Sequence, residues 1–163
     1  MFAIRPTFGK AWNRFSEVNV DVGSVGSLIG GKVQVNISSG IFENACSIRM
    51  SYVLNYTGVS IPSDNRYATV TGEDKKRYMY RVNDMMVFLR SKFGEPDLSI
   101  SMPIQEAFFG LQGIIVFEGS GWRNARGHIT LWNGMICSDY CYFIGGSNNG
   151  QFVPDNASLW ILK

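Results

Sequence analysis

Cys46, Cys137, Cys141, His128 and Asp139 are the residues of this chain whose types and spacing could do covalent chemistry. His128 is the single histidine. Imidazole alone among ordinary side chains titrates near neutral pH, so a proton transfer in that range falls to it. Two of the three cysteines lie four residues apart and the third is remote, a pattern that suggests one local pair plus a lone thiol with another task. Cys46 follows Asn44, a good helix cap, by two residues. In the first turn of a helix the amides point outward and the dipole is positive, which favours a thiolate and offers donors to an oxyanion formed beside it. A thiolate next to an imidazole is a nucleophile with its base, and a carboxylate behind the ring would fix the tautomer. An inert buried cysteine and a structural histidine are the plainer alternatives.

His128 lies in RGHITLW, residues 126–132, which reads as a strand, and Asn133-Gly134 follows at once as a strong hairpin signal. A two-residue hairpin would pair Trp132 with Met135 and, further down the strands, His128 with Asp139, their Cβ atoms about 5 Å apart. Cys137 and Cys141 pull the other way. Four residues along a straight strand span roughly 13 Å, whereas a disulfide holds its Cα atoms about 4.4–6.8 Å apart. A bond would curl 137–141 into a turn with Asp139 at the apex, still beside His128. The regular hairpin and the disulfide exclude each other, and we take the disulfide. Zinc held by Cys137, Cys141, His128 and Cys46 is a further alternative; its C-x3-C spacing is permissible, and it would leave no nucleophile.

Such residues need a helix under the thiol and a sheet under the imidazole. Residues 44–57 (NACSIRMSYVLNYT) read as that helix, with Gly58 just past its end and Ile48, Tyr52, Val53 and Tyr56 on one apolar face. A second helix is expected over 74–92, where Tyr78, Val82, Met85, Met86, Leu89 and Phe93 follow the helical period and Gly94 with Pro96 stops it. Strands are expected at 111–118, 126–132, 135–144 and 158–163. Residues 1–20 show no clear period, although Trp12 and Phe15 should pack onto the domain. The glycine-rich 21–31 lead into 32–37, where Val33, Val35 and Ile37 alternate with polar residues. Residues 59–72 read as a surface loop, and the segment after Pro96 as irregular. Helices early and strands late predict an α+β domain with an antiparallel sheet in its C-terminal half.

The run from Gly26 to Lys32 mimics a phosphate-binding loop. Val33, however, stands where a hydroxyl should meet magnesium, and no strand leads in, so the glycines read as packing devices. Arg49 and Trp132 could reach a cleft; a solvated helix face and a core ring are the preferred readings for them. The chain has 163 residues, 45% of them apolar and 17% charged, which excludes a disordered tail or a coiled coil and predicts one domain over 1–163. A net charge of +2 gives no electrostatic case for nucleic acid. No run approaches the roughly 18 apolar residues of a membrane span. Arg5, Lys10 and Arg14 interrupt any signal-peptide core near the start.

Three stretches, Asn44-Ala45-Cys46-Ser47-Ile48-Arg49-Met50-Ser51, Gly127-His128-Ile129-Thr130-Leu131-Trp132 and Asp139, resemble the type VI secretion amidase effectors, family 4. The lead-in Gly30-Gly31-Lys32-Val33 fits as well, and the likeness spans nearly the whole chain. The resemblance implies a papain-like fold of the NlpC/P60 type, with the cysteine helix packed on an antiparallel sheet. It implies a bacterial toxin made in the donor cytoplasm without a signal peptide and injected into the periplasm of a neighbouring Gram-negative cell. There it would hydrolyse the amide between D-glutamate and meso-diaminopimelate in peptidoglycan stem peptides. Cys46 would be the nucleophile, His128 the base and Asp139 the orienting acid. The Cys46 backbone amide would help hold the oxyanion, and no metal or organic cofactor would be needed. The resemblance also implies a Cys137–Cys141 disulfide and an immunity protein that plugs the cleft. A papain-like enzyme acting on another amide or acyl group, and a binding domain without catalysis, are the alternatives.

Overall fold

The computed structural model describes residues 1–42, 44–121, 127–143 and 152–163. Arg126 and Ile144, at the ends of two expected strands, lie outside that set. Helix α4 (Cys46–Asn55) forms inside the expected range but two residues shorter at each end, with Ala45 rather than Asn44 at the N-cap position and Tyr56 at the C-cap. The Asn44 carboxamide oxygen accepts from the Cys46 amide at 3.0 Å, and Gly58 beyond the far end takes φ +95°, a conformation that a Cβ resists. The sequence predicts one apolar face, but every residue of α4 except Arg49 is buried. Its polar side chains are anchors. Ser51 accepts from the Met79 amide at 2.9 Å, and Asn55 donates to the Arg77 carbonyl while accepting from the Ile61 amide.

Three helices precede α4: α1 (Phe8–Val18), α2 (Val22–Ile29) and α3 (Gly31–Ser38). A two-stranded ribbon follows it, β1 (Thr69–Thr71) with β2 (Arg77–Met79), and then α5 (Val82–Phe93). The remaining strands are β3 (Leu98–Ser101), β4 (Gly113–Ser120), β5 (Gly127–Trp132) and β6 (Val153–Ile161). Among the described residues they form one antiparallel sheet in the order β3-β6-β4-β5, which puts β5 at an edge. Side chains alternate across such a sheet. Ile114, Val116, Ile129, Leu131 and Trp160 face the helices and pack with Phe15, Met50, Val53, Leu54 and Leu89. Ile115, Phe117, Trp132 and Leu159 face the other way, where Phe108, Phe143 and Phe152 cover them. The chain is α+β, with its cysteine helix packed against an antiparallel sheet.

Several local expectations are corrected. Residues 8–18 are helical, because Phe8, Ala11, Trp12, Phe15 and Val18 do recur at helical spacing once the uneven flanks are set aside. Residues 22–38 form two helices rather than a glycine run feeding an alternating segment. Asp21 caps α2 by accepting from the Ser24 amide, and Gly30 and Gly31, at φ +69° and +59°, turn the chain into α3. At Gly31 a Cβ would come within 2.5 Å of the Gly72 carbonyl carbon, so this glycine serves close packing. The helix expected from residue 74 starts only at Val82. Asp74 instead closes a turn, accepting from Lys76 N–H and from the Tyr56 and Tyr78 hydroxyls, and Tyr78 is buried on a strand. Part of the expected surface loop is β1, and part of the irregular stretch is β3.

The strand expected at 135–144 does not form over its described residues; Cys137 makes a single bridge to Trp132. The turn is displaced by one residue from the expected Asn133-Gly134 hairpin: the Asn133 N–H donates to the Ile136 carbonyl at 3.0 Å across Gly134-Met135, and Trp132 bridges Cys137 instead of Met135. Asn133 Oδ1 accepts from the amides of both Met135 and Ile136, and four residues separate the bridged pair.

Candidate active site

Cys46 opens α4 and is 2% exposed. Its helix is fastened by Arg49, whose guanidinium donates to the Val18 and Val20 carbonyls at 2.9 and 2.7 Å. Arg49 is therefore a bracket between α4 and the end of α1, neither a cleft residue nor a solvated face. Trp132 is a core ring, fully buried, with its indole N–H on the Phe108 carbonyl.

His128 projects from β5 and is 6% exposed. Its Nε2 lies 3.0 Å from Asp139 Oδ1, and the Tyr142 ring stands edge-on to the imidazole at 4.9 Å. Asp139 reaches this place because Cys137 and Cys141 are joined by a disulfide, with Cα atoms 5.4 Å apart, and the segment between them bends toward β5. The Ser138 amide donates to the Leu131 carbonyl, which ties the bend to the outer edge of that strand. The zinc alternative fails on the same bond, since it consumes two of the four proposed ligands.

Cys46 and His128 bear on each other's ionisation, the imidazole lowering the thiol and the thiol raising the imidazole. Burial alone would push the thiol up. The His128 hydrogen bond and charge, the Ile129 backbone amide and the Ser47 hydroxyl outweigh it, and the thiol lies below its ordinary value. The amide contribution depends on β5 being an edge strand, because an interior strand would spend that N–H on a neighbour. Burial would likewise lower His128, but the Asp139 charge and hydrogen bond, and then Cys46, raise it to about 9. For Asp139 burial opposes ionisation, and His128 above all holds the carboxyl below the usual range. These directions describe a thiolate–imidazolium pair backed by a carboxylate, an arrangement able to attack a carbonyl and protonate a leaving amine.

One expectation meets an obstacle. The Cys46 amide, a natural oxyanion donor, is already engaged by Asn44 Oδ1. A substrate oxygen can take that amide only if the Asn44 carboxamide yields it. Residues missed from the sequence are the hydroxyls of Ser47, Thr130 and Ser138. They are buried without a hydrogen bond of ordinary geometry, and each lies within two positions of Cys46, His128 or Asp139. A hydroxyl on the inward side of a strand, two residues from the histidine, was the available signal for Thr130. Among the described residues, no group of three His, Cys, Asp or Glu side chains is arranged to hold a metal ion.

The family model described as type VI secretion system amidase effector protein 4 matches residues 42–160. Among solved structures, the type VI effector–immunity complex Tae4–Tai4 from Enterobacter cloacae matches with 62% identity and a TM-score of 0.96, over 98% of this chain and 100% of that one. The Tae4 effector of the same organism gives 61% identity and 0.94, covering both chains fully. The Tae4–Tai4 complex from Salmonella Typhimurium gives 54% and 0.90, over 98% of this chain and 100% of the other. No curated protein sequence matches. Family profile and structural likeness agree over almost the whole length, and the chain belongs to the type VI secretion amidase effectors, family 4.

Proposed function

We propose that residues 1–163 form one catalytic domain, a papain-like thiol amidase of the NlpC/P60 type that cleaves the γ-D-glutamyl–meso-diaminopimelate amide of peptidoglycan stem peptides. The observation that carries this reading is the buried His128, hydrogen-bonded to Asp139 at 3.0 Å and electrostatically coupled to the buried thiol of Cys46. With Nε2 committed to Asp139, Nδ1 is the ring nitrogen left to exchange a proton with Cys46. The thiolate attacks the γ-glutamyl carbonyl carbon, and the oxyanion recruits the Cys46 amide as Asn44 releases it. The imidazolium then gives its proton to the departing diaminopimelate nitrogen, leaving a thioester on Cys46. His128 takes a proton from water, the hydroxide opens the thioester, and the free γ-carboxylate departs.

The relatives solved as effector–immunity complexes support a cognate immunity protein that blocks the cleft of this chain too. The secretion family supports delivery by the type VI machine into the periplasm of a recipient, where the wall substrate and an environment that keeps the disulfide oxidised are found together. No helix among the described residues is long and apolar enough to cross a membrane.

The test is digestion of purified peptidoglycan, with fragments identified by mass. Each cut should add one water and leave a free γ-carboxyl on D-glutamate and a free amine on diaminopimelate. Intact stems, or cuts only at other bonds, would overturn the assignment.

A further inference from the structure

We propose that Thr130 is a positioning residue: its hydroxyl holds the Asp139 carboxylate, and through it the His128 ring, in line with Cys46. The proposal rests on the triad above. Thr130 follows His128 by two positions on β5, so both side chains leave the same face of the strand. It is completely buried, on a face that continues into Trp132 and the aromatic cluster beyond, where a valine of equal shape would pack as well. A hydroxyl there has surrendered its water, and Oγ1 has no hydrogen bond of ordinary geometry in return. The Trp132–Cys137 bridge and the Ser138 amide on the Leu131 carbonyl lay the bend against β5 in a register whose next step sets Asp139 level with Thr130, and the hydroxyl favours the ionised carboxyl.

Asp139 needs such a donor. Its carboxylate is 8% exposed, and Oδ1 is shared between His128 Nε2 at 3.0 Å and the Tyr140 amide at 2.6 Å. An ionised carboxylate can accept about four hydrogen bonds, so two at one oxygen leave capacity. The titratable groups nearest it among the described residues are His128 from β5, beyond which lies Cys46 of α4, and Tyr140 and Tyr142 from its own segment. The Tyr140 donor moves with the bend that carries Asp139. Thr130 stands on the same strand as the base, so a bond from its hydroxyl fixes acid and base to one frame. As the carboxylate and imidazolium draw together during turnover, a small rotation of the hydroxyl completes that bond.

The experiment compares Thr130→Val, Thr130→Ser and Asp139→Asn with the parent protein. Readouts are kcat and KM on purified stem peptides, thermal midpoint, and the pH profile of kcat/KM. Thr130→Val should lose about tenfold in kcat, the size of one hydrogen bond in the transition state, at unchanged KM and without loss of thermal midpoint. Its kcat/KM profile should narrow, the alkaline limb moving to lower pH, and Thr130→Ser should restore rate and profile. Parent-like kcat and pH profile in Thr130→Val, with Asp139→Asn inactive, overturns the proposal and leaves the triad standing. Parent-like activity in Asp139→Asn overturns both. Should Thr130→Val not fold, Thr130→Ala is read by the same criteria.

Discussion

A thiol as deeply buried as Cys46 should resist ionisation, and the surroundings reverse that. The groups that lower it also set its pH range. In the proposed mechanism, below the depressed thiol pKa the pair takes up a proton and the nucleophile is lost. Above about 9 His128 gives up its proton, and the leaving amine has no acid. The expected kcat/KM profile is a bell whose alkaline limb lies near pH 9. In Asp139→Asn the charge that raises His128 is gone, so that limb moves to lower pH and kcat falls by orders of magnitude. An alkaline limb unmoved by this substitution would argue that Asp139 does not support the imidazolium. Cys46→Ala and His128→Ala should each fold and leave purified peptidoglycan uncut, checked by circular dichroism and fragment mass. Hydrolysis by Cys46→Ala would end the thiol mechanism.

Between residue and fold stands the short bend that carries Asp139. The Cys137 bridge and the Ser138 amide seat its first half on β5, and the disulfide pulls the second half back. Replacing both Cys137 and Cys141 by serine should cost about 2 kcal/mol of stability, the chain-entropy value for so small a loop. It should cost more in rate, because the apex is freed while Cys46 stays alkylatable. Denaturant melts and amidase assays on the double variant decide this, and unchanged kcat would show that the bend holds without its bond. This segment also marks how far sequence reaches. Asn44 and Gly58 announce α4 because capping chemistry is local. Cys137 and Cys141 announce the bend because a covalent bond has a fixed reach. The helices α2 and α3 are not announced, since glycines that turn or pack closely obscure periodicity, and Gly31 owes its identity to Gly72, forty-one positions away. Tyr78 and Val82 share a helical spacing by coincidence, and the turn at Asp74 decides between helix and ribbon. The Ile129 amide could not be foreseen, because only the strand order puts it at an edge.

For the whole molecule, the compartment should decide the phenotype. Cytosolic expression should be tolerated, and the same chain behind an export signal should lyse a Gram-negative host. Exported Cys46→Ala should be harmless, and co-export of the cognate immunity protein should rescue growth. Optical density and microscopy read all four arms, and lysis by exported Cys46→Ala would remove the amidase account of toxicity. The position of β5 carries a further consequence. An edge strand with open amides and carbonyls invites pairing with a neighbouring chain, and natural sheets must guard it. Here the Ile129 amide favours the ionised Cys46 thiol and the disulfide-bent segment takes the Leu131 carbonyl. The guard of the sheet's open side is therefore built from the atoms that would do the chemistry, and a chain whose site is unassembled also exposes its most adhesive border.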